Sequence, residues 1–122
     1  KKVLVAEDSS VIQNLTKKIL QMQSYQISSV KNGKQVLDIL QKENFDIILM
    51  DINMPVMDGM ECSRNIRALE DPVKSTIPII AISGNAQNYS IDEFKEAGIN
   101  GYLPKPLNFD TLVETVKKYT EV

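Results

Sequence analysis

The residues with the greatest chemical potential in this sequence follow short apolar runs. Glu7 and Asp8 come directly after VLVA, Asp51 after IILM and Ser83 after IIAI, while Lys105 stands between two prolines. Carboxylates that are brought close together repel one another and shift their pKa values unless a cation neutralises them. Mg²⁺ suits this task, because it prefers oxygen ligands and leaves coordination positions for phosphate oxygens. If these side chains meet, Asp51 is the best nucleophile for accepting a phosphoryl group as an acyl phosphate.

The hydrophobic pattern predicts the strands that would bring these side chains together. Five short apolar runs span 3–6, 27–30, 47–50, 77–82 and 101–103. Three of them are apolar at nearly every position, which favours a parallel sheet covered on both faces. Segments with a 3.6-residue period lie between the runs, and the alternation predicts a doubly wound α/β fold, (βα)5, with right-handed crossovers.

The helical segments are indicated by apolar residues that share one stripe of a helix. A weaker segment, 91–97, precedes Gly98, which suits a helix C-terminus. The stretch 70–76, EDPVKST, is predicted to be an irregular surface connection. The four apolar stripes are Ile12, Leu15, Ile19 and Met22; Val36, Leu37 and Leu40; Cys62, Ile66 and Leu69; and Phe109, Leu112, Val113 and Val116.

The residues that follow the strands of a parallel sheet converge at one rim, because the strands all point the same way. Each candidate also has an ordinary structural explanation. Asp8-Ser9 is typical of a helix N-cap, Ser83 before Gly84 is typical of a turn, and Lys105 fits a plain surface lysine. These explanations do not account for suitable side chains at four of the five strand ends, so a shared site is favoured.

Composition narrows the possible functions. The 122 residues suit one domain, 1–122, and the net charge of −2 without a dense Lys/Arg cluster argues against direct nucleic-acid binding. There is no histidine, which excludes His-based catalytic groups and a phosphohistidine within this chain. The single cysteine, Cys62, allows no internal disulfide. With neither a signal-peptide pattern nor a membrane-length apolar segment, we expect a cytoplasmic location without membrane contact.

Four segments, in this order and spacing, resemble the receiver domain of two-component response regulators. They are VLVAEDSS (3–10), IILMDINMPVMDGM (47–60), PIIAISGNA (78–86) and GYLPKPL (101–107), and the resemblance covers essentially the whole chain. It implies a flavodoxin-like fold with a five-stranded sheet of order 2-1-3-4-5. It also implies a protein that catalyses its own aspartyl phosphorylation and autodephosphorylation but is not a free-standing enzyme.

The resemblance assigns a phosphoacceptor and a metal site to individual residues. Asp51 would be the phosphoacceptor. Glu7 and Asp8 would bind Mg²⁺ directly or through water, with Mn²⁺ as an alternative ion. Asp51 itself and the backbone carbonyl of Asn53 would supply further ligands.

The resemblance also implies a switch that responds to phosphorylation. Ser83 would donate its hydroxyl to the phosphoryl group and Lys105 would pair with it, the bond between Lys105 and Pro106 being cis. The loop after strand 4 would then move inward, and Tyr102 would rotate into the vacated space. The readout surface would comprise the fourth helix, strand 5 and the fifth helix, around residues 88–119.

Departures from the commonest receiver pattern are mild. Glu7 stands where many members carry Asp, Ser83 where Thr is commoner and Gly84 where Ala is frequent. Asn53 and Asn85 lie at positions that tune hydrolysis of the phosphoryl group in the family. The lifetime of the phosphorylated state therefore stays open.

The partners follow from the missing histidine. The phosphoryl donor is expected to be a histidine kinase or a histidine phosphotransfer protein, and no Gly-rich loop indicates ATP as the donor. The output is a downstream protein target or an attached output domain, and a phosphorylation-dependent dimer stays open. A stand-alone regulator, a relay intermediate and the receiver of a hybrid histidine kinase all fit, with the EDPVKST stretch and the absence of Met at residue 1 favouring the last.

Two other classes of protein share part of this pattern. A haloacid-dehalogenase-type phosphatase needs a second aspartate two residues after its nucleophile, and Asn53 at that place cannot transfer a proton. A flavodoxin-like binding module needs a phosphate loop after strand 1, where EDSS instead supplies two anions. A non-signalling pseudo-receiver is disfavoured by the presence of Asp51 and Lys105.

Overall fold

The computed structural model describes residues 1–84 and 89–121. Its five strands form one sheet in which every neighbouring pair is parallel and the order is β2-β1-β3-β4-β5. This confirms the predicted fold class and strand order. The strands are β1 Lys2–Ala6, β2 Gln26–Val30, β3 Ile47–Asp51, β4 Ile79–Ser83 and β5 Gly101–Pro104.

Six helices lie in the described part of the chain. The helices α2, α3 and α5 pack on one face of the sheet, and α1 and α6 pack on the other, so each face has its own apolar core. The longest helices have 12 residues, and none of the helices in the described ranges is long and apolar enough to cross a membrane. The helices are α1 Ser10–Gln21, α2 Gly33–Leu40, α3 Gly59–Arg67, α4 Pro72–Ser75, α5 Ile91–Glu96 and α6 Phe109–Thr120.

The prediction that 70–76 is irregular is wrong, because this stretch contains the one-turn helix α4. The Asp71 side chain accepts a hydrogen bond from the backbone N–H of Val73, and Pro72 opens the helix. Proline is favoured in the first turn, where its missing N–H would have no partner. The fourth and fifth helices of the sequence prediction therefore correspond to α5 and α6.

The apolar stripe of α1 does not coincide with the face that the fold buries. Gln13, Thr16 and Leu20 are buried, whereas Leu15 is 46% exposed and Met22 is 81% exposed. Helix α1 lies against the sheet and beside α6, and this placement turns positions 13, 16 and 20 inward. An apolar strip of α1 is left at the surface.

Candidate functional site

The carboxyl edge of the sheet brings the predicted site residues to one rim. Asp51 is the last residue of β3, and Ser83 is the last residue of β4. Glu7 follows β1, and its backbone N–H donates to the Val30 carbonyl at 3.0 Å. Lys105 follows β5, and its backbone N–H donates to the Ser83 carbonyl at 3.0 Å. The sheet hydrogen bonds thus continue past the strand ends and hold the backbone of the site.

Three carboxyl groups form a cluster at this rim. Oxygen atoms of Glu7, Asp8 and Asp51 all lie within 4.8 Å of one another. Asp51 is 1% exposed and Glu7 is 3% exposed, whereas Asp8 is exposed. Two carboxyl groups therefore line the floor of the site and the third lies at its opening.

A single ammonium group faces the two buried carboxylates. Lys105 Nζ lies 3.3 Å from Asp51 Oδ2 and 3.5 Å from Glu7 Oε2. Among residues 1–84 and 89–121, no other cationic side chain forms an ion pair with either of these carboxylates. Within the described part of the chain, Lys105 is therefore the one cation that forms an ion pair with this cluster.

The surroundings of Glu7 disfavour the charged form of its carboxyl group. Burial raises the pKa of Glu7 to about 7, and the charge of Asp51 and hydrogen bonding with its carboxyl group act in the same direction. The Lys105 ammonium and the Ser9 backbone N–H oppose this rise in the Glu7 pKa. A divalent cation would remove the penalty by neutralising the carboxylates together.

The donor set fits Mg²⁺. All the candidate side-chain ligands are carboxylate oxygens, and their spacing allows one ion to contact several of them. The Asn53 backbone N–H donates to Asp51 Oδ1 at 3.1 Å, so the main chain of Asn53 adjoins the cluster. Coordination by the Asn53 carbonyl stays a prediction.

The turn between β1 and α1 separates a capping residue from a site residue. Ser9, rather than Asp8, is the N-cap of α1, because its side chain accepts from the Ile12 backbone N–H at 3.4 Å. The Ser9 backbone N–H also donates to Glu7 Oε1 at 3.2 Å and so orients that carboxyl group. Asp8 is left at the mouth of the cluster.

The Asp58-Gly59 pair begins the next helix. Asp58 Oδ1 accepts from the Glu61 backbone N–H at 2.8 Å and caps α3. The Gly59 backbone N–H donates to the Ile52 carbonyl at 2.9 Å, which holds α3 tightly against the end of β3. A Cβ atom at Gly59 would lie 2.5 Å from the Asp51 carbonyl oxygen, so this close approach requires glycine.

The residues predicted to form the switch lie on the neighbouring strands β4 and β5. Ser83 is buried at 1% exposure, and the Lys105–Pro106 bond is cis. Tyr102 is half-buried and stacks on Phe94 of α5, with ring centroids 5.4 Å apart. Asn85, and with it the predicted movement of the loop after β4, lies outside the described residues.

Sequence reasoning does not single out Gln13, although this residue is buried beside the acidic pair. Its side-chain amide donates to the Glu7 carbonyl at 3.1 Å and to the Val30 carbonyl at 3.0 Å. Gln13, Thr16 and Leu20 have the spacing of one helix face, and this spacing is the signal that could have indicated the buried face. Two of the three residues are polar, however. Apolar periodicity therefore points to a different face of α1.

Residues 3–117 match the response regulator receiver domain family, and the chain belongs to that family. It is 33% identical over 121 residues to chemotaxis protein CheY-3 of Vibrio cholerae, covering 98% of this chain and 92% of that protein. It is 38% identical over 129 residues to hybrid signal transduction histidine kinase I of Dictyostelium discoideum, covering 98% of this chain. The protein is therefore a CheY-like receiver domain of two-component signalling.

A solved structure supports the same conclusion. The receiver domain of sensor histidine kinase PA1611 from Pseudomonas aeruginosa, described with a magnesium ion coordinated in its active site cleft, superposes with a TM-score of 0.90. The two sequences are 31% identical, with 100% of this chain and 98% of that chain covered.

The matched histidine kinases are much longer than this chain. The chain spans 7%, 15% and 17% of the length of three of them, from Dictyostelium discoideum, Oryza sativa and Vibrio cholerae. Only the receiver segment of those proteins is therefore comparable with this chain.

Proposed function

We propose that residues 1–122 form a single receiver domain in which Asp51 accepts a phosphoryl group from a phosphohistidine on a partner protein. The observation that carries the proposal is the position of Asp51, a buried carboxylate at the tip of the central strand, in contact with Lys105 and beside two further carboxylates. The donor histidine lies outside residues 1–122, because this sequence contains none.

The chemical step is an exchange of one bond to phosphorus for another. A carboxylate oxygen of Asp51 attacks the phosphorus atom, and an O–P bond forms as the P–N bond to the imidazole breaks. The imidazole nitrogen leaves with the bonding electron pair. Transfer of this kind depends mainly on positioning and on neutralising charge at the phosphoryl oxygens.

The metal would be held by the carboxyl groups of Glu7, Asp8 and Asp51 and by the Asn53 carbonyl. Mg²⁺, or Mn²⁺ in its place, supplies charge neutralisation for the carboxylates and the phosphoryl oxygens when bound. Lys105 then pairs with a phosphoryl oxygen, since its ammonium already reaches the Asp51 carboxylate in the unphosphorylated protein.

The output step links the site to the surface formed by α5, β5 and α6. Ser83 donates its hydroxyl to the new phosphoryl group, and Tyr102 changes its rotamer in response. Strands β4 and β5 connect the two, because Ala81 pairs with Tyr102 and Ser83 pairs with Pro104 in the sheet register. A target protein, an output domain or a second copy of the chain would read this surface.

The phosphohistidine partner docks on the exposed strip of α1 beside the rim. Leu15 and Phe109 are 46% and 38% exposed, and they line a groove of about 280 Å³ together with Ile12 and Leu107. Lys105 lines the same groove, so a helix seated there carries its histidine toward Asp51. An apolar helix face is the matching surface for this groove.

The decisive experiment is incubation with a small acyl phosphate and Mg²⁺, followed by intact-mass measurement. We expect the wild type to gain the mass of one phosphoryl group. We expect no such gain in Asp51→Asn, or in the wild type when a chelator has removed the metal. Asp58→Asn is the matched control, because Asn retains the cap of α3 and that carboxyl group lies outside the cluster.

Phosphorylation that survives in Asp51→Asn would overturn the proposal. Sustained turnover of small phosphate esters would favour the haloacid-dehalogenase-type phosphatase instead.

A further inference from the structure

We infer that Gln13 is a positioning residue for the metal-binding carboxyl groups, acting through the backbone of Glu7. The inference rests on the metal site of the proposed function. It assigns a role to a residue of α1 whose side-chain amide donates to two backbone carbonyls rather than to the carboxyl groups of the site.

The Gln13 side chain joins three elements at one point. It is 8% exposed, and Nε2 donates to the Glu7 carbonyl at 3.1 Å and to the Val30 carbonyl at 3.0 Å. The Val30 carbonyl also accepts the Glu7 backbone N–H. The ends of β1 and β2 and the first turns of α1 are therefore tied together by one amide.

This bridge closes the turn from which the acidic pair projects. The turn leaves β1 at Glu7, passes through Asp8 and the N-cap Ser9, and enters α1. The sheet holds the start of this turn. The Gln13 side chain then links α1 back to Glu7, the residue at which the turn starts. The Glu7 carbonyl is therefore held in place. A small rotation of this peptide would move the two prospective metal ligands, Glu7 and Asp8.

Groups that orient metal ligands affect metal affinity even though they do not touch the ion. Their removal typically weakens binding by about 10-fold to 100-fold. A purely structural glutamine would instead affect only the stability of the fold. The difference between these two outcomes is measurable, because the Mg²⁺ dissociation constant of folded protein does not change when stability alone is reduced.

The test compares Gln13→Met with Thr16→Val. Methionine retains the length of the side chain and removes both amide donors, and valine retains the shape of threonine. Thr16 is 1% exposed on the same face of α1, one turn farther from the rim. Mg²⁺ alone is titrated calorimetrically at pH 8, and unfolding is measured separately in chelator.

We expect Gln13→Met to bind Mg²⁺ about 10-fold more weakly than the wild type, and Thr16→Val to bind it within twofold of the wild type. Equal affinity in folded Gln13→Met and wild type would overturn the inference and leave the proposed function intact. Absence of Mg²⁺ binding by the wild type would overturn the metal site and this role together.

A measurement on the wild type covers the case in which Gln13→Met does not fold. The side-chain amide signals of Gln13 are followed by NMR during the Mg²⁺ titration. We expect them to shift with the same dissociation constant that calorimetry gives. Signals that stay unchanged at saturating Mg²⁺ would overturn the inference.

Discussion

Lys105 Nζ lies 3.3 Å from Asp51 Oδ2, and the Lys105 side chain is 25% exposed while that of Asp51 is 2% exposed. The same ammonium lies 3.5 Å from Glu7 Oε2. One partly buried cation thus offsets two buried carboxylates, and this relationship makes the stability of the metal-free protein depend on Lys105.

We expect Lys105→Met to lower the free energy of unfolding by about 1–2 kcal/mol at pH 8 in chelator, because buried carboxylates lose their cation. Lys2→Met is the matched control. Its ion pair with Glu43 is exposed, at 36% and 41%, and such pairs contribute less than about 1 kcal/mol. Urea titration measures both changes, and equal losses in the two variants would contradict the expectation.

The raised pKa of Glu7 predicts an unusual pH dependence for the metal-free protein. The folded pKa is about 7, above the ordinary value of 4.5, so the folded state binds more protons than the unfolded state between these values. Stability therefore falls as pH rises through this window. Glu7→Gln should flatten the pH profile and unfold at higher urea than the wild type at pH 8 in chelator. A wild-type profile that rises between pH 4.5 and 7, relative to the variant, would contradict this sign.

Arg67 uses its guanidinium to join the end of α3 to distant backbone. It donates to the carbonyls of Gly98, Ser75 and Ile77 and to Asn100 Oδ1, at distances from 2.6 to 2.9 Å. The planar fork of arginine makes this pattern possible, and the point-like ammonium of lysine cannot reproduce it.

We therefore expect Arg67→Lys to lower the free energy of unfolding by about 2 kcal/mol. This is the typical contribution of one hydrogen bond to a charged group. Arg64→Lys, an exposed position in the same helix, should change stability by less than about 0.5 kcal/mol. Thermal and urea unfolding measure both. Similar small effects at the two positions would show that the Arg67 contacts contribute little.

The exposed strip of α1 separates recognition of a protein donor from chemistry at Asp51. Leu15→Glu should slow phosphotransfer from a phosphorylated histidine phosphotransfer protein by about 10-fold, because a charge would replace apolar contact in the groove. Phosphorylation by a small acyl phosphate should stay unchanged.

Met22→Glu provides the control for this experiment. Met22 is 81% exposed but follows the last residue of α1, at the opposite end of the helix from the rim. Its substitution should leave both reactions unchanged. Equal slowing by the two substitutions would indicate a general charge effect rather than docking at the groove.

Much of this architecture can be read directly from residue order. Apolar runs without alternation predict the buried parallel strands, and the residues that end them identify Asp51, Ser83 and Lys105 as neighbours at one rim. The Asp58-Gly59 pair predicts the start of α3 for the same local reason, because capping depends on a few adjacent residues. Such features depend on residues that are close together in the sequence, so the sequence alone predicts them.

Other features depend on how separate elements pack. The buried face of α1 is set by its contacts with both the sheet and α6, so its most apolar strip stays outside and Gln13 turns inward. The pKa of Glu7 depends first on its burial, and then on its distance from Asp51 and Lys105, residues far away in the chain. Hydrophobic periodicity reports the composition of one helix at a time, whereas burial and electrostatic interactions are properties of several elements held together in three dimensions.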